Sequence, residues 1–475
     1  MSNDLLKFVS IDQSMPAKRE ASDRLKDFDE VYKEFDIPSA QEQSSRCSQC
    51  GVPFCHIHCP LGNNIPDWLR LTAEGRLEDA YEMAASTNNM PEICGRICPQ
   101  DRLCEGSCVI EKDFDAVTIG SVEKYIADTA WENGWIKPIK PLVELDQSVA
   151  IIGAGPAGLA AAEELRKVGY QVHIYDRHDR AGGLLVYGIP GFKLEKDVVG
   201  RRTGRLEQSG ITFHLDFEVG REASLAELRE KHDALLVATG VYRARGLKAP
   251  GVGLGNIREA LDYLIASNKK SFGDTVPEFE SGALNAEGKN VVVVGGGDTA
   301  MDCVRTAVRQ GAKSVKCLYR RDRDNMPGSV REVKNAEEEG VEFVWLSGPE
   351  AFLGDENVEA VRAYRMRLGA ADATGRQAPE PVPDSTFTMD CDLAVLALGF
   401  EPEDLPSLFD APELRVTRWG TVTVDHGTMM TNLDGVFAAG DIVRGASLVV
   451  WAIRDGRDAA ECIKKHLQKQ LSEAA

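Results

Sequence analysis

Eight of the twelve cysteines crowd into two short runs, Cys47-x2-Cys50-x4-Cys55-x3-Cys59-Pro60 and Cys94-x3-Cys98-Pro99-x4-Cys104-x3-Cys108. In a reducing compartment such density points to metal ligation rather than to disulfides, because the thiol buffer keeps cysteine pairs reduced. Zinc sites usually set two pairs a dozen or more residues apart. Here every gap within a run is short and each run has a proline beside a cysteine, as in cubane ligation, where the last cysteine of a run often serves the other cluster. The spacing predicts two 4Fe–4S clusters with interleaved ligands. Cys47, Cys50, Cys55 and Cys108 surround one; Cys59, Cys98, Cys104 and Cys94 surround the other, with Glu123 the alternative to Cys94. His56 and His58 exceed the number of ligands needed and read as structural. The rival reading is a redox-inert zinc scaffold, which would be colourless. Cys303, Cys317, Cys391 and Cys462 stand alone and read as small buried hydrophobes.

Two glycine loops offer a second kind of chemistry. Gly153, Gly155 and Gly158 form GxGxxG between an apolar strand and an alanine-rich helix. The first glycine permits a tight turn, the second lets a pyrophosphate approach the backbone, and the third lets helix and strand pack closely. The helix N-terminus then presents free N–H groups and a positive dipole end. Asp176 closes the next strand, where a carboxylate can accept hydrogen bonds from a ribose; a plain βα turn with a solvated acid is the alternative. Gly182 and Gly183 follow the acid, and LLVATG ends a strand in Gly240, where backbone must pass close to a ligand. The second loop, Gly295, Gly297 and Ala300, is GxGxxA, with Asp298 and Thr299 expected to cap its helix. Where the first unit has an acid, the second has Arg320 and Arg321. A carboxylate repels a 2′-phosphate and a guanidinium fork binds one, so this unit is expected to take NADPH. A solvated basic patch balanced by Asp322 and Asp324 is the alternative. LAVLALGFEP at 393–402 repeats the strand-then-glycine pattern, and GVFAAGDIV at 435–443 ends in Gly440 and Asp441, which alone would read as a helix cap.

The elements that must carry these residues follow from the pattern. Residues 147–176 and 289–321 are two copies of one β-α-β unit, which indicates an internal duplication of nucleotide-binding units. Apolar spacing predicts helices within 68–86 and over 119–135, a partly helical segment at DRLKDFDEVYKEF, and a linker at KPIKPL. At 475 residues the chain exceeds what one core organises. The expected fold class is α/β: a helical iron–sulfur domain at 1–140, then two Rossmann-like domains, with 256–400 inserted between 141–255 and 401–475. With 55 basic against 75 acidic residues the net charge is −20, which a phosphate backbone or an anionic bilayer would repel. Neither nucleic acid nor membrane is expected as a partner. No apolar run approaches the roughly 18 residues of a membrane span, and the N-terminus lacks a signal-peptide pattern, so a cytoplasmic location is expected.

The first glycine loop, the strand ending in Gly440 and Asp441 and the helix over 448–467 together resemble the two-dinucleotide flavoproteins. That resemblance implies FAD in the first unit, with Gly440 and Asp441 at its ribityl and phosphate part and the helix aimed at the flavin ring. Hydride transfer between stacked rings needs geometry and no side-chain acid or base, so no catalytic residue is expected. LLVYGIPGFKLEKD, after Gly183, carries no cysteine pair, which separates the chain from disulfide reductases of that fold. SRCSQCGVPFCHIHCPLGNNIPDW and NMPEICGRICPQDRLCEGSC, taken with both loops, are similar to the small (β) subunits of bacterial NADPH-dependent glutamate synthases along almost the whole chain. Membership of that family implies NADPH oxidation and electron delivery to a large (alpha) subunit that carries FMN and an iron–sulfur cluster and makes L-glutamate from L-glutamine and 2-oxoglutarate. Residue 2 is serine, so no N-terminal cysteine nucleophile for glutamine hydrolysis is expected on this chain. Oxidoreductases that pass electrons from NADPH to ferredoxin share these motifs, as does the module fused within dihydropyrimidine dehydrogenase. The chain's end at Ala475 is expected to exclude the fused form.

Overall fold

The structure is a computed structural model that describes residues 5–372 and 377–474; Ser2 and Ala475, named above, lie outside them. The cysteine-bearing region is built from helices α1 (Ile65–Ala73), α2 (Leu77–Thr87), α3 (Pro91–Ile97) and α4 (Ile119–Glu132). A left-handed residue, Gly75 at φ +77°, ends the turn between α1 and α2. Trp68, Leu69, Ile119, Val122 and Ile126 fill their shared core. Helices α3 and α4 approach closely because a Cβ on Gly95 would lie 2.5 Å from the Lys124 backbone nitrogen. DRLKDFDEVYKEF departs from expectation: only Ala21–Arg24 is helical, and the chain beyond turns and runs irregularly, with Tyr32 in an isolated bridge to Lys18. The reason is tertiary. Arg24 is buried and reaches Glu339 at 3.0 Å and Glu338 at 2.8 Å, pairings a continuous surface helix could not make.

Two parallel sheets of the same design follow. The first uses β1 (Ser148–Ile152), β2 (Gln171–Tyr175), β3 (Thr212–His214), β4 (Ala234–Val237) and, from far along the chain, β13 (Val436–Ala438), in the order β13-β4-β1-β2-β3. The second uses β5 (Ile257–Glu259), β6 (Asn290–Val294), β7 (Ser314–Leu318), β8 (Glu342–Val344) and β12 (Leu393–Leu396), in the order β5-β12-β6-β7-β8. Val-, Ile- and Leu-rich strands buried on both faces suit parallel sheets covered by helices. An antiparallel sheet of β9 (Ser347–Leu353), β10 (Ala360–Ala371) and β11 (Gln377–Asp390) extends the second unit. The chain passes between units where Arg243–Ala244 pairs with Phe400–Glu401. Helices α5 (Pro156–Val168), α6 (Lys196–Gln208) and α8 (Val449–Ala474) pack on the first sheet, and α7 (Asp298–Arg309) on the second. Close packing of α5 on α8 requires Gly456, whose added Cβ would lie 2.2 Å from the Ala157 carbonyl. Among the described residues no helix is long and apolar enough to cross a membrane.

Candidate cofactor and cluster site

The first glycine loop has the geometry its residue types demand. Gly153 turns at φ +114°, and a Cβ there would lie 2.4 Å from the Ala238 carbonyl; one on Gly158 would lie 2.0 Å from the Gly153 carbonyl. Gly155 differs, for nothing stands within 4 Å of its missing Cβ. Its emptiness opens onto a cavity at the N-terminus of α5, where unsatisfied N–H groups face outward. Gly183 completes the cradle, since a Cβ there would meet the Gly155 Cα at 2.9 Å. Gly182 donates its N–H to the Ala154 carbonyl at 2.9 Å.

Asp176 carries more than the sequence suggests. Its carboxylate accepts the Ala154 N–H at 2.7 Å and, at 2.9 Å, both the N–H and the Nδ1 of His178. Three of its roughly four acceptor sites are thus taken, so it braces the loop and has about one left for a ribose. Gly240, at φ +72°, lies beside Thr239, whose buried Oγ1 has no partner, and Tyr242. Gly440, at φ +78°, packs against Ala157, and Asp441 accepts the Ser447 hydroxyl at 2.9 Å; burial raises the Asp441 carboxyl pKa.

The second loop repeats the glycine geometry of the first. A Cβ on Gly295 would lie 2.2 Å from the Ala397 carbonyl, and Gly297, like Gly155, faces open space. Ala300 is buried, as the tight third position requires. Capping differs from expectation. Gly297 is the N-cap and makes no side-chain cap, and Asp298 instead accepts the Ser329 N–H at 3.0 Å, tying the segment after Arg320 and Arg321 back to α7. Asp322 is engaged by Asn325 at 2.8 Å, and Arg323, not its neighbours, pairs with Glu337. Among the described residues neither Arg320 nor Arg321 has a carboxylate partner, and the Nε of Arg321 is buried without one. The residues fit an incoming phosphate better than a self-balanced patch.

The eight thiols lie close enough to act on one another electrostatically. Cys47, Cys50 and Cys108 all act on Cys55, whose pKa is pushed up to about 12, mostly by burial. Burial likewise pushes Cys59 up to about 11, with Glu123 and Cys94 adding to it. Cys98 is raised by a hydrogen bond with Cys94, by burial and by the charges of Cys94, Glu123 and Cys104; Cys104 is raised by burial first and then by Glu105, Glu123, Cys59 and Cys55. The neighbourhoods are compatible with the quartets expected from the spacing, and Cys55 also acts on Cys104 across them. Four thiolates crowded in a buried site need a multiply charged metal centre to exist together, so the donor set fits an iron–sulfur cluster. Among the described residues no three His, Cys, Asp or Glu side chains close on a single-ion site, so the grouping is one of neighbourhood. Glu123 stands beside the second quartet, its pKa pushed up to about 8 by burial, while Asn63 at 2.9 Å and Asn88 at 3.1 Å donate to its carboxylate. His56 and His58 hold backbone carbonyls of Asn63 and Phe54, a structural use.

A cavity of about 320 Å³ joins these parts. Gly153, Gly155 and Asp441 wall one side, Asp298 and Asp302 of α7 face them, and Ile97 and Pro99, which flank Cys98, close the end. Several of its lining groups escaped the sequence reading. Thr239 and Tyr242 border Gly240, whose glycine was the only local signal; Asp302 stands one helical turn past Asp298, a spacing that puts both on one face. A lobe beside it, lined by Asp176, Tyr175 and Phe217, continues past the end of β2.

Comparison with known proteins agrees with this arrangement. The pyridine nucleotide-disulphide oxidoreductase model matches residues 147–456, and the dihydropyrimidine dehydrogenase domain II, 4Fe-4S cluster, model matches residues 24–135. The glutamate synthase (NADPH) small chain of Azospirillum brasilense is 70% identical over 460 residues, covering 97% of this chain and 95% of that one. The chain belongs to the glutamate synthase (NADPH) small-chain family. The Escherichia coli K12 member of this family is 44% identical over 475 residues, covering 98% of this chain and 100% of its own. Mycobacterium tuberculosis FprA in complex with NADPH shares the fold at TM-score 0.59 and 19% identity, over 70% of this chain and 86% of that one. As a small-chain family member the chain is an oxidoreductase with an N-terminal iron–sulfur region and a pyridine-nucleotide fold.

Proposed function

We propose that the chain is the electron-input subunit of a glutamate synthase. It oxidises NADPH at a bound FAD and passes the electrons through two 4Fe–4S clusters to a large chain. That partner carries FMN and an iron–sulfur cluster and makes L-glutamate from L-glutamine and 2-oxoglutarate. The observation that carries the reading is the single cavity walled by the first glycine loop, by α7 of the second unit and by the residues flanking Cys98. When bound, FAD accepts hydride from NADPH and releases electrons singly, which converts a two-electron donor into a supply for one-electron clusters.

The chain's own residues bind and orient. Gly153, Gly155, Gly158, Gly182 and Gly183 shape the pyrophosphate cradle, Asp176 holds it and offers its remaining acceptor to a ribose, and Gly240, Gly440 and Asp441 line the inner end. Gly295, Gly297 and Ala300 do the same for NADPH, with Arg320 and Arg321 on its 2′-phosphate. Cys47, Cys50, Cys55 and Cys108 hold one cluster; Cys59, Cys94, Cys98 and Cys104 hold the other. The functional division follows: 1–140 for the clusters, 141–255 and 401–475 for FAD, 256–400 for NADPH.

Anaerobically prepared protein should contain one FAD, about eight iron atoms and about eight sulfides per chain. NADPH should bleach its flavin without any partner. With the large chain added, NADPH oxidation should depend on both L-glutamine and 2-oxoglutarate. Stoichiometric zinc with no acid-labile sulfide would overturn the cluster assignment, and NADPH oxidation indifferent to those two substrates would overturn the partner.

A further inference from the structure

The short helix Leu184–Tyr187 and the turn to Ile189 form the cavity wall that begins at Gly183. Among its last carbonyls, that of Tyr187 accepts from the Asn268 side chain at 2.8 Å, and one ammonium takes those of Leu185 and Ile189. Lys196, at the start of α6, turns its ammonium inward and donates to the Leu185 carbonyl at 3.1 Å and, closer still, to that of Ile189. Among the described residues no carboxylate pairs with it. The neighbouring Lys193 has taken Asp302 at 2.9 Å, so Asp302 reaches Lys196 only at longer range, and Lys193 repels it. Glu332 and Asp298 act on Lys193, and Glu332 is bonded to Arg305. Lys196 is therefore a cation held behind the cavity wall by two dipoles, with no counter-ion of its own.

We propose that Lys196 is a positioning residue for the cavity and that its charge favours electron uptake there. The proposal rests on the FAD reading above. Taking up a hydride adds two electrons and one proton, hence one net negative charge, to what the cavity holds. A fixed cation just behind the wall is neutral to the oxidised state and attractive to the reduced one, and a medium with little water transmits that attraction. Its two hydrogen bonds also fix this stretch of the cavity wall.

Desolvation has lowered the Lys196 pKa to about 7. The cation is thus mostly present at pH 6 and nearly absent by pH 9, which separates its charge from its shape. The experiment is anaerobic redox titration of FAD-loaded wild type, Lys196→Met and Lys196→Arg at both pH values, with FAD affinity measured alongside. At pH 6, Lys196→Met should disfavour the reduced flavin about tenfold, a fall of about 30 mV for a two-electron couple. At pH 9 the difference between Lys196→Met and wild type should close. Lys196→Arg should hold the wild-type pH 6 potential and keep it at pH 9, because a guanidinium stays charged. Equal potentials for wild type and Lys196→Met at pH 6, with one FAD bound per chain, would overturn the proposal. So would a deficit of the same size at both pH values, since it would mark a purely structural role. A wild type that binds no FAD would instead remove the reading beneath it.

Discussion

At the residue scale, the two kinds of glycine in one loop should behave oppositely when given a methyl group. Gly155 has an ordinary φ of −78° and open space where its Cβ would go, so Gly155→Ala should leave stability within about 0.5 kcal/mol of wild type. The methyl would stand where a pyrophosphate must approach the backbone. Loss of one charge-assisted backbone contact, roughly 1.5–3 kcal/mol, corresponds to FAD binding weaker by about 10- to 150-fold. In Gly158→Ala the methyl meets the Gly153 carbonyl at 2.0 Å, an overpacking that should cost about 1–3 kcal/mol of stability. Thermal melts of the apoproteins with FAD titrations check both, and equal FAD affinity for Gly155→Ala and wild type would count against the cradle. A second comparison tests the arginines. Truncating Arg320 or Arg321 should weaken NADPH by a similar 10- to 150-fold and spare NADH, which has no phosphate to lose. Stopped-flow reduction by each nucleotide gives the ratio, and added salt should erode the wild-type preference by screening.

At the element scale, the outer edge of the first sheet carries a pH dependence that no motif announces. His173 on β2, His214 on β3 and His232 after β4's preceding helix gather around Tyr175. Nδ1 of His173 lies 3.2 Å from Nε2 of His214, and Nε2 of His232 lies 3.0 Å from the Tyr175 hydroxyl, which also accepts from Lys231. Burial lowers all three histidine pKa values, with Lys231 and the neighbouring rings adding repulsion and Asp233 partly opposing it at His232, whose value falls from 6.5 to about 4. The unfolded chain takes up protons that the fold refuses, so stability is complete above about pH 6.5 and is lost as pH falls toward 4. Replacing His232 by Gln should flatten that loss; an unchanged slope of denaturation midpoint against pH between 4 and 6.5 would rule the cluster out as its source. The contrast with the glycine loops shows what a sequence makes legible. The positive φ of Gly153 and Gly295 follows from their place in a tight strand-to-helix turn, a local pattern that could be read directly, even though the carbonyls that crowd them lie far along the chain. The irregular course after Arg24, the diversion of Asp298 to Ser329, the Asn63 and Asn88 clasp on Glu123 and the histidine cluster each depend on a partner far along the chain. Local propensity carries no record of such partners.

At the scale of the whole molecule, the units are locked together by ions, and the electron route depends on that lock. Arg24 reaches Glu339 at 3.0 Å, Lys193 reaches Asp302 at 2.9 Å and Arg201 reaches Asp128, each across two units, and Arg331 adds a hydrogen bond to Gln100 at 3.1 Å. Replacing Cys50 or Cys98 by Ser should stop electron delivery to the partner yet leave the flavin reducible by NADPH, because neither residue lines the glycine cradles. An FAD-loaded, soluble variant whose flavin NADPH cannot reduce would contradict that independence. A buried tie joins Arg202 on α6 to Glu92 on α3, at 2.7 and 2.8 Å, both essentially excluded from water, with Glu163 3.7 Å from the same guanidinium. Helix α3 also carries Cys94 and leads into Cys98, so this pair holds the second quartet against the unit that owns the cavity. Burial makes the pair asymmetric. Arg202→Leu strands a buried carboxylate and should cost about 3–5 kcal/mol, whereas the double replacement Glu92→Met with Arg202→Leu removes both charges and should recover most of that cost. The two variants also separate stability from electron flow. If the pair serves only to fasten α3, the double variant should regain both the wild-type denaturation midpoint and the rate at which the clusters fill after the flavin is reduced. Denaturant unfolding of anaerobic holoprotein and stopped-flow absorbance measure these, and a double variant no more stable than Arg202→Leu alone would show that the tie is not electrostatic in origin.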